Sequence, residues 1–192
     1  MANRTAYLFI FDGFADWEPA SAVAELRRTF GFNVKTFASG TSPVVTMGGL
    51  RVIPDTDLLG AASQLPDVLI LPGGDAWTAG EVKGITDLIV ATHRAGRPVA
   101  AICAATLSLA HAGLLDHHRH TSNGDGFISK YVPAYRGALY ARVPAVNDRN
   151  VITANGLAPF AFAAEVFRAV APDRAHDIAA YEALYSRGLL DD

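Results

Sequence analysis

Short, almost wholly apolar runs alternate along this chain with longer stretches in which apolar residues return every three or four positions. Thr5 to Phe11 is the first such run and predicts a buried strand, broken by Asp12-Gly13. Pro19 suits the first turn of a helix, and Val23, Leu26 and Phe30 continue its apolar stripe until Gly31. Asn33 to Phe37 predicts a second strand. Val44 to Thr46 and Arg51 to Ile53 predict two short strands around the Gly48-Gly49 turn. Val68 to Leu71 is a fully apolar strand ended by Pro72-Gly73-Gly74, and Ile85, Leu88, Ile89 and Thr92 mark a helix that closes at Gly96. Val99 to Ile102 predicts another strand, and Ala104 to Ala112 a buried helix. Val151 to Thr153 is a late strand turned by Asn155-Gly156. Phe162, Val166 and Val170 mark a helix after Pro159, and Ile178, Tyr181 and Leu184 a last one.

Continuous apolar strands alternating with amphipathic helices predict a mostly parallel sheet covered on both faces, an α/β sandwich of three layers. No repeat, linker or low-complexity tract divides the chain, so residues 1–192 are read as a single domain. In such sheets the ligand crevice lies at the carboxyl ends of the strands.

Composition narrows the class. Of the 192 residues 51% are hydrophobic and 18% charged, which excludes disorder as the main state. A formal charge of -3 gives no electrostatic footprint for nucleic acid. The single cysteine, Cys103, allows no internal disulfide and no zinc-finger spacing. Pro98 to Leu115 carries no formal charge, but it starts at a proline and contains Cys103, Thr106, Ser108, His111 and Gly113. It reads as a strand and a buried helix rather than a membrane span. The apolar run from Ala6 to Phe11 is too short for a signal-peptide core. The expectation is a soluble, cytoplasmic protein with neither a nucleic-acid nor a membrane partner.

The candidate chemistry gathers at the strand ends. Cys103 sits between a strand and a helix, flanked at two residues' distance by Ala101 and Ala105, as in a cysteine version of a nucleophile elbow. A helix amino terminus there would favour a thiolate, and backbone amides would hold an oxyanion. A buried structural cysteine is the equal alternative. Gly73 and Gly74 permit close approach of a ligand to the backbone, or simply make a turn, with Asp75 and Trp77 following. Glu18, where the first strand hands over to its helix, is either an ordinary helix-start acid or a carboxyl facing Cys103. Asp16 has the same opportunity, but Glu18 falls closer to the helix start. His117, His118 and His120 cluster, but no acidic partner completes a metal site, and no metal or cofactor is expected.

In combination these segments resemble the ThiJ/PfpI family of the class I glutamine amidotransferase-like superfamily. The likeness runs from Phe11-Asp12-Gly13-Phe14 and Glu18 through Leu71-Pro72-Gly73-Gly74 to Ala101-Ile102-Cys103-Ala104. It continues in Ala112-Gly113-Leu114-Leu115-Asp116 and His120-Thr121-Ser122-Asn123. The chain looks most similar to the bacterial branch described as intracellular proteases or amidotransferase-like proteins. The resemblance implies a flavodoxin-like α/β sandwich and a homodimer. It implies Cys103 as nucleophile or redox centre with Glu18 hydrogen-bonded to it, and Gly74 and Ala104 amides as the anion pocket. Family activities include peptidase, glyoxalase-type lyase, deglycase, chaperone and isonitrile hydratase chemistry.

Two positions depart from the family pattern. Peptidase members carry histidine directly after the cysteine, where this chain has Ala104. Other members place histidine near the end of the following strand, where this chain has Asn123, leaving His120 as a substitute. No Cys-His dyad is evident, and Glu165 and His176 do not match the late amidotransferase spacing. The leading expectation is an enzyme acting on a small electrophile, with Cys103 as nucleophile and Glu18 as acid and base. Trp17, Trp77 and Phe127 are available as walls of its crevice. A redox-sensing or stress-protective protein with an oxidisable Cys103 is one alternative. A non-catalytic binding module, or amidotransferase- or peptidase-like activity, is the other.

Overall fold

A computed structural model describes residues 4–188. Seven strands form the central sheet in the order β5-β2-β1-β6-β7-β9-β8. They are β1 (Thr5–Phe9), β2 (Asn33–Ala38), β5 (Thr56–Asp57), β6 (Val68–Leu71), β7 (Val99–Ile102), β8 (Ala145–Asp148) and β9 (Val151–Ala154). All neighbours run parallel except β8, which returns antiparallel on β9. The remaining strands, β3 (Val44–Val45) and β4 (Arg51–Val52), make a separate hairpin.

Within each sheet strand, alternate residues face opposite layers, and the apolar runs supply both. Leu8, Ile70, Ile102 and Ile152 pack into one core with α1 (Trp17–Arg28), α7 (Pro159–Val170) and α8 (Ala175–Arg187). Phe9, Leu69, Leu71, Val99 and Ala101 pack into the other with α4 (Thr86–Arg94) and α5 (Thr106–His111). The expected flavodoxin-like sandwich is therefore the observed architecture. Among the described residues no helix is long and apolar enough to cross a membrane; Pro98 to Leu115 divides instead into β7, a 3₁₀ turn and α5.

Several elements carry too little periodicity to be read from sequence. These are β5 and β8, and the short helices α2 (Leu58–Ser63), α3 (Asp75–Thr78) and α6 (Phe127–Tyr131). Other bounds shift. β1 stops at Phe9, although Ile10 still donates to the Phe37 carbonyl at 2.8 Å. The helix predicted from Ala104 begins as a 3₁₀ turn, Cys103–Ala105, and α5 proper starts at Thr106.

The chain builds outward from β1 to β2 and β5, then crosses back to lay β6, β7 and β9 on the other side. The order thus reverses between β1 and β6, and the crevice beyond their carboxyl ends is where doubly wound sheets bind ligands. Glu18 follows β1, Gly73 follows β6, Cys103 follows β7 and Gly156 follows β9.

Candidate active site

Four strand ends converge on one sulfur. Cys103 leaves β7 with φ at 61°, a conformation that L-residues seldom adopt outside sharp turns. The turn lifts its half-buried side chain above the sheet, between the neighbouring connections. A β-carbon at Gly73 would lie 2.6 Å from both the Cys103 Cβ and Glu18 Oε2; one at Gly156 would lie 2.8 Å from the sulfur. Both positions exclude any side chain on steric grounds. Gly74, with φ at 150°, passes so near Phe11 and the Gly13 carbonyl that a Cβ would meet them at 2.8 and 2.9 Å. The turn itself is bolted from beneath. Thr106 Oγ1 donates to the Cys103 carbonyl at 2.8 Å and lies 2.6 Å from Ser122 Oγ.

Glu18 is 1% exposed. Its Oε2 accepts the Gly73 N–H at 2.6 Å, and its carboxyl hydrogen-bonds with the Cys103 thiol. Burial pushes its pKa above the ordinary carboxylate range, against the Gly73 and Cys103 hydrogen bonds, which favour the ionised form. Asp16 does different work: its Oδ2 accepts from Thr46 Oγ1 at 3.0 Å and ties α1 to the β3–β4 hairpin.

Asn123 completes the surround. Its Oδ1 accepts the Gly156 N–H at 3.0 Å, which leaves Nδ2 to donate to the Cys103 sulfur at 3.1 Å. The amide orientation follows from this arrangement, because an N–H facing Gly156 N would set two donors against each other. The Ala104 N–H is also directed to the sulfur, and among the described residues no backbone acceptor takes the Gly74 N–H.

The expected helix-terminus stabilisation of a thiolate is not what the structure builds. α5 is short and starts two residues late, and burial is the largest influence on the titration. The Cys103 thiol is pushed up to about 11 by burial and by the adjacent Glu18 charge, against the Asn123 and Ala104 donors. The two groups form a coupled pair. Between the titration of Glu18 and that of the thiol, the pair holds one proton and one negative charge.

His120 is no partner for this sulfur. It is wholly buried, with Nδ1 2.7 Å from the His118 carbonyl and Nε2 2.5 Å from the Tyr135 hydroxyl. Burial lowers its pKa, so it is a neutral strut beneath the 135–140 segment. Trp77 is likewise 8% exposed and gives its Nε1–H to the Pro72 carbonyl at 2.9 Å, bracing the Gly73-Gly74 turn from below rather than walling an open crevice. Asp75 is exposed at the start of α3. Trp17 is half exposed, and Phe127 packs on Tyr131. Of the three clustered histidines, His118 binds the Asp148 carbonyl at 3.0 Å and His117 is exposed. Among the described residues no three His, Cys, Asp or Glu side chains gather as a metal site. Gly156 is the contact that sequence reasoning missed. Its signal was the Asn-Gly turn after β9, the strand beside β7 in the sheet.

The model of the DJ-1/PfpI family matches residues 4–169. The uncharacterized protease YoaZ of Bacillus subtilis is 36% identical over 184 residues, covering 90% of this chain and 88% of its own. The crystal structure of the DJ-1 superfamily protein Atu0886 from Agrobacterium tumefaciens superposes with a TM-score of 0.88 at 34% identity, covering 97% of this chain and all of that one. That of a thiJ/pfpI family protein from Bacillus anthracis gives 0.87 at 33% identity, over 98% of this chain and 94% of that one.

Proposed function

The chain belongs to the DJ-1/PfpI family, and on that premise we propose that it is a cysteine-dependent enzyme of hydrolase or lyase type acting on a small electrophilic carbon. Cys103 is the nucleophile, and Glu18 is the general acid and base. One observation carries the reading: the Cys103 sulfur is held between a buried carboxyl and the Asn123 amide, at the switch point of the sheet.

A thiol raised to about 11 is protonated at neutral pH and needs a base beside it when substrate arrives. Glu18 supplies one. As the sulfur lone pair forms a bond to a carbonyl carbon, the thiol proton passes to the carboxylate. The C=O π pair moves to oxygen, where the Gly74 and Ala104 N–H groups stabilise it. Glu18 then returns the proton to that oxygen, which leaves a neutral thiohemiacetal and a regenerated carboxylate. Peptidase chemistry lacks its histidine at Ala104. The same reading takes the protein as a cytoplasmic homodimer, and sedimentation showing a single-chain mass would remove the dimer.

The deciding experiment offers methylglyoxal, an isonitrile, glutamine and a casein-type peptide to the wild type and to Cys103→Ser. Turnover of a small carbonyl or isonitrile compound is expected, absent in Cys103→Ser and reduced roughly 10²- to 10⁴-fold in Glu18→Gln, the usual worth of general acid-base help. Undiminished turnover by Cys103→Ser, or cleavage of the peptide alone, overturns the assignment.

A further inference from the structure

Beside Cys103 the surface opens into a cavity of about 510 Å³ between the 121–124, 140–144 and 155–158 segments. A three-carbon aldehyde would fill little of it; the volume falls within the roughly 300–1,000 Å³ of pockets that enclose whole metabolite-sized ligands. Asn123 is the wall that cavity and sulfur share, since it lines the one and donates to the other. Most polar groups around the cavity are already engaged. Thr121 Oγ1 donates to the Val143 carbonyl at 2.8 Å, and Ser122 Oγ is paired with Thr106. Asn155 spans the Ser122 carbonyl and the Leu157 N–H at 3.2 and 2.8 Å.

Arg142 and Tyr140 differ. Both line the cavity, and among the described residues neither the guanidinium nor the phenol has a hydrogen-bond or ion-pair partner. No acidic residue shares the lining. An unpaired arginine on a convex surface is merely solvated. Arg142 is exposed, but in a concave site that shares Asn123 with the Cys103 surround its planar fork is a ready partner for a carboxylate.

We infer that this cavity seats the remainder of the substrate and that Arg142, with the Tyr140 hydroxyl, binds a carboxylate on it. The preferred substrate is then an oxo acid, a carbonyl compound carrying a carboxylate, rather than a neutral aldehyde. The inference rests on the role given to Cys103 above, which fixes where the carbonyl sits. A single guanidinium balances a single negative charge. A phosphate dianion would want a second cation; among the described residues no other Arg or Lys lines this cavity, and Arg136 lines an adjoining one together with Asp125.

The test separates binding from chemistry. Cys103→Ser is titrated with 4-oxobutanoate, with butanal, and with glycolaldehyde phosphate, following the Asn123 side-chain amide and the Gly124 backbone amide by NMR. The carboxylate compound is expected to bind most tightly. Adding Arg142→Leu should weaken it about 10-fold, the low end for a hydrogen bond to a charged group, and Arg142→Lys should recover part of that. Arg94→Leu, on the solvent side of α4, controls for loss of one positive charge. The inference is overturned if 4-oxobutanoate shifts neither amide, or binds no better than butanal or the phosphate. It is equally overturned if Arg142→Leu does no more than Arg94→Leu. Should 4-oxobutanoate bind as expected while the wild type leaves it chemically unchanged, the carboxylate site stands and the nucleophile role of Cys103 falls.

Discussion

At the scale of the residue, the cost of the site is concentrated in Glu18. A carboxyl that is 1% exposed and raised in pKa by burial holds its proton more tightly in the native chain than in the unfolded one. The stability it contributes is therefore present below the ordinary carboxylate range and lost as pH rises through its native value. Glu18→Gln removes that ionisation while keeping an acceptor for the Gly73 N–H. The variant should melt above the wild type at pH 7–8, and the gain should vanish near pH 4, where both side chains are neutral. Thermal unfolding across that range checks it; a gain independent of pH would mean that the carboxylate is not the source. Cys103 adds nothing to this difference at neutral pH, because its thiol is protonated in both states there. Glu18 was legible as the candidate from its place after β1 and near the helix start, but the separate task of Asp16 was not. Two residues of offset at the start of α1 send one carboxyl under the sulfur and the other to the hairpin.

Among the elements, the β8–β9 hairpin closes the edge of the sheet and holds the segment that leads to Asn123. Asp148, at the end of β8, accepts from the Arg119 N–H at 2.7 Å and pairs with Arg149 at 3.0 Å. Its pKa is held down at about 2 by the hydrogen bond from Arg149, with smaller help from the Arg119 amide and the Arg149 and His118 charges. A depressed acid contributes stability above its unfolded value and loses it as pH falls through its native one. Asp148→Asn should thus cost on the order of 1 kcal/mol at pH 6, the modest scale of a solvent-facing pair. The difference should close between about pH 4 and pH 2. Denaturant unfolding at the two ends of that window measures it, and a cost that persists at pH 2 would assign the effect to packing. This hairpin was half visible in the sequence. β9 reads as an apolar run, whereas Ala145–Asp148 lies on the sheet edge with one residue buried and three half-buried, and so shows neither an apolar run nor clean alternation.

Over the whole molecule, two separate cores hold the strand ends in register, and the site depends on that register rather than on any single loop. Ile70, fully buried at the centre of β6, packs in the core under α1 and α7, away from the crevice. Ile70→Ala should cost about 2–5 kcal/mol through lost burial and a residual cavity. For a domain of this size that is a fall of roughly 4–20 °C in Tm. Below the shifted transition the variant should keep the wild-type thiol titration. A changed thiol pKa without loss of stability would show that the core and the site are not separable in this way.

By itself the sequence determined the parallel α/β sandwich, because continuous apolar strands and amphipathic helices have few other ways to bury both faces of a sheet. It also placed Glu18, Gly73, Gly74 and Cys103 at strand ends, because turn residues punctuate the chain where strands stop. Tertiary structure alone decided what meets at those ends. The pairing of β9 beside β7 brings Gly156 against the sulfur, and the 121–124 segment turns Asn123, rather than His120, toward it. It also decided the sign of the thiol's shift. A local reading sees a helix start that would favour a thiolate, but desolvation and a neighbouring carboxylate, which push the thiol up, are properties of the assembled crevice and invisible along the chain.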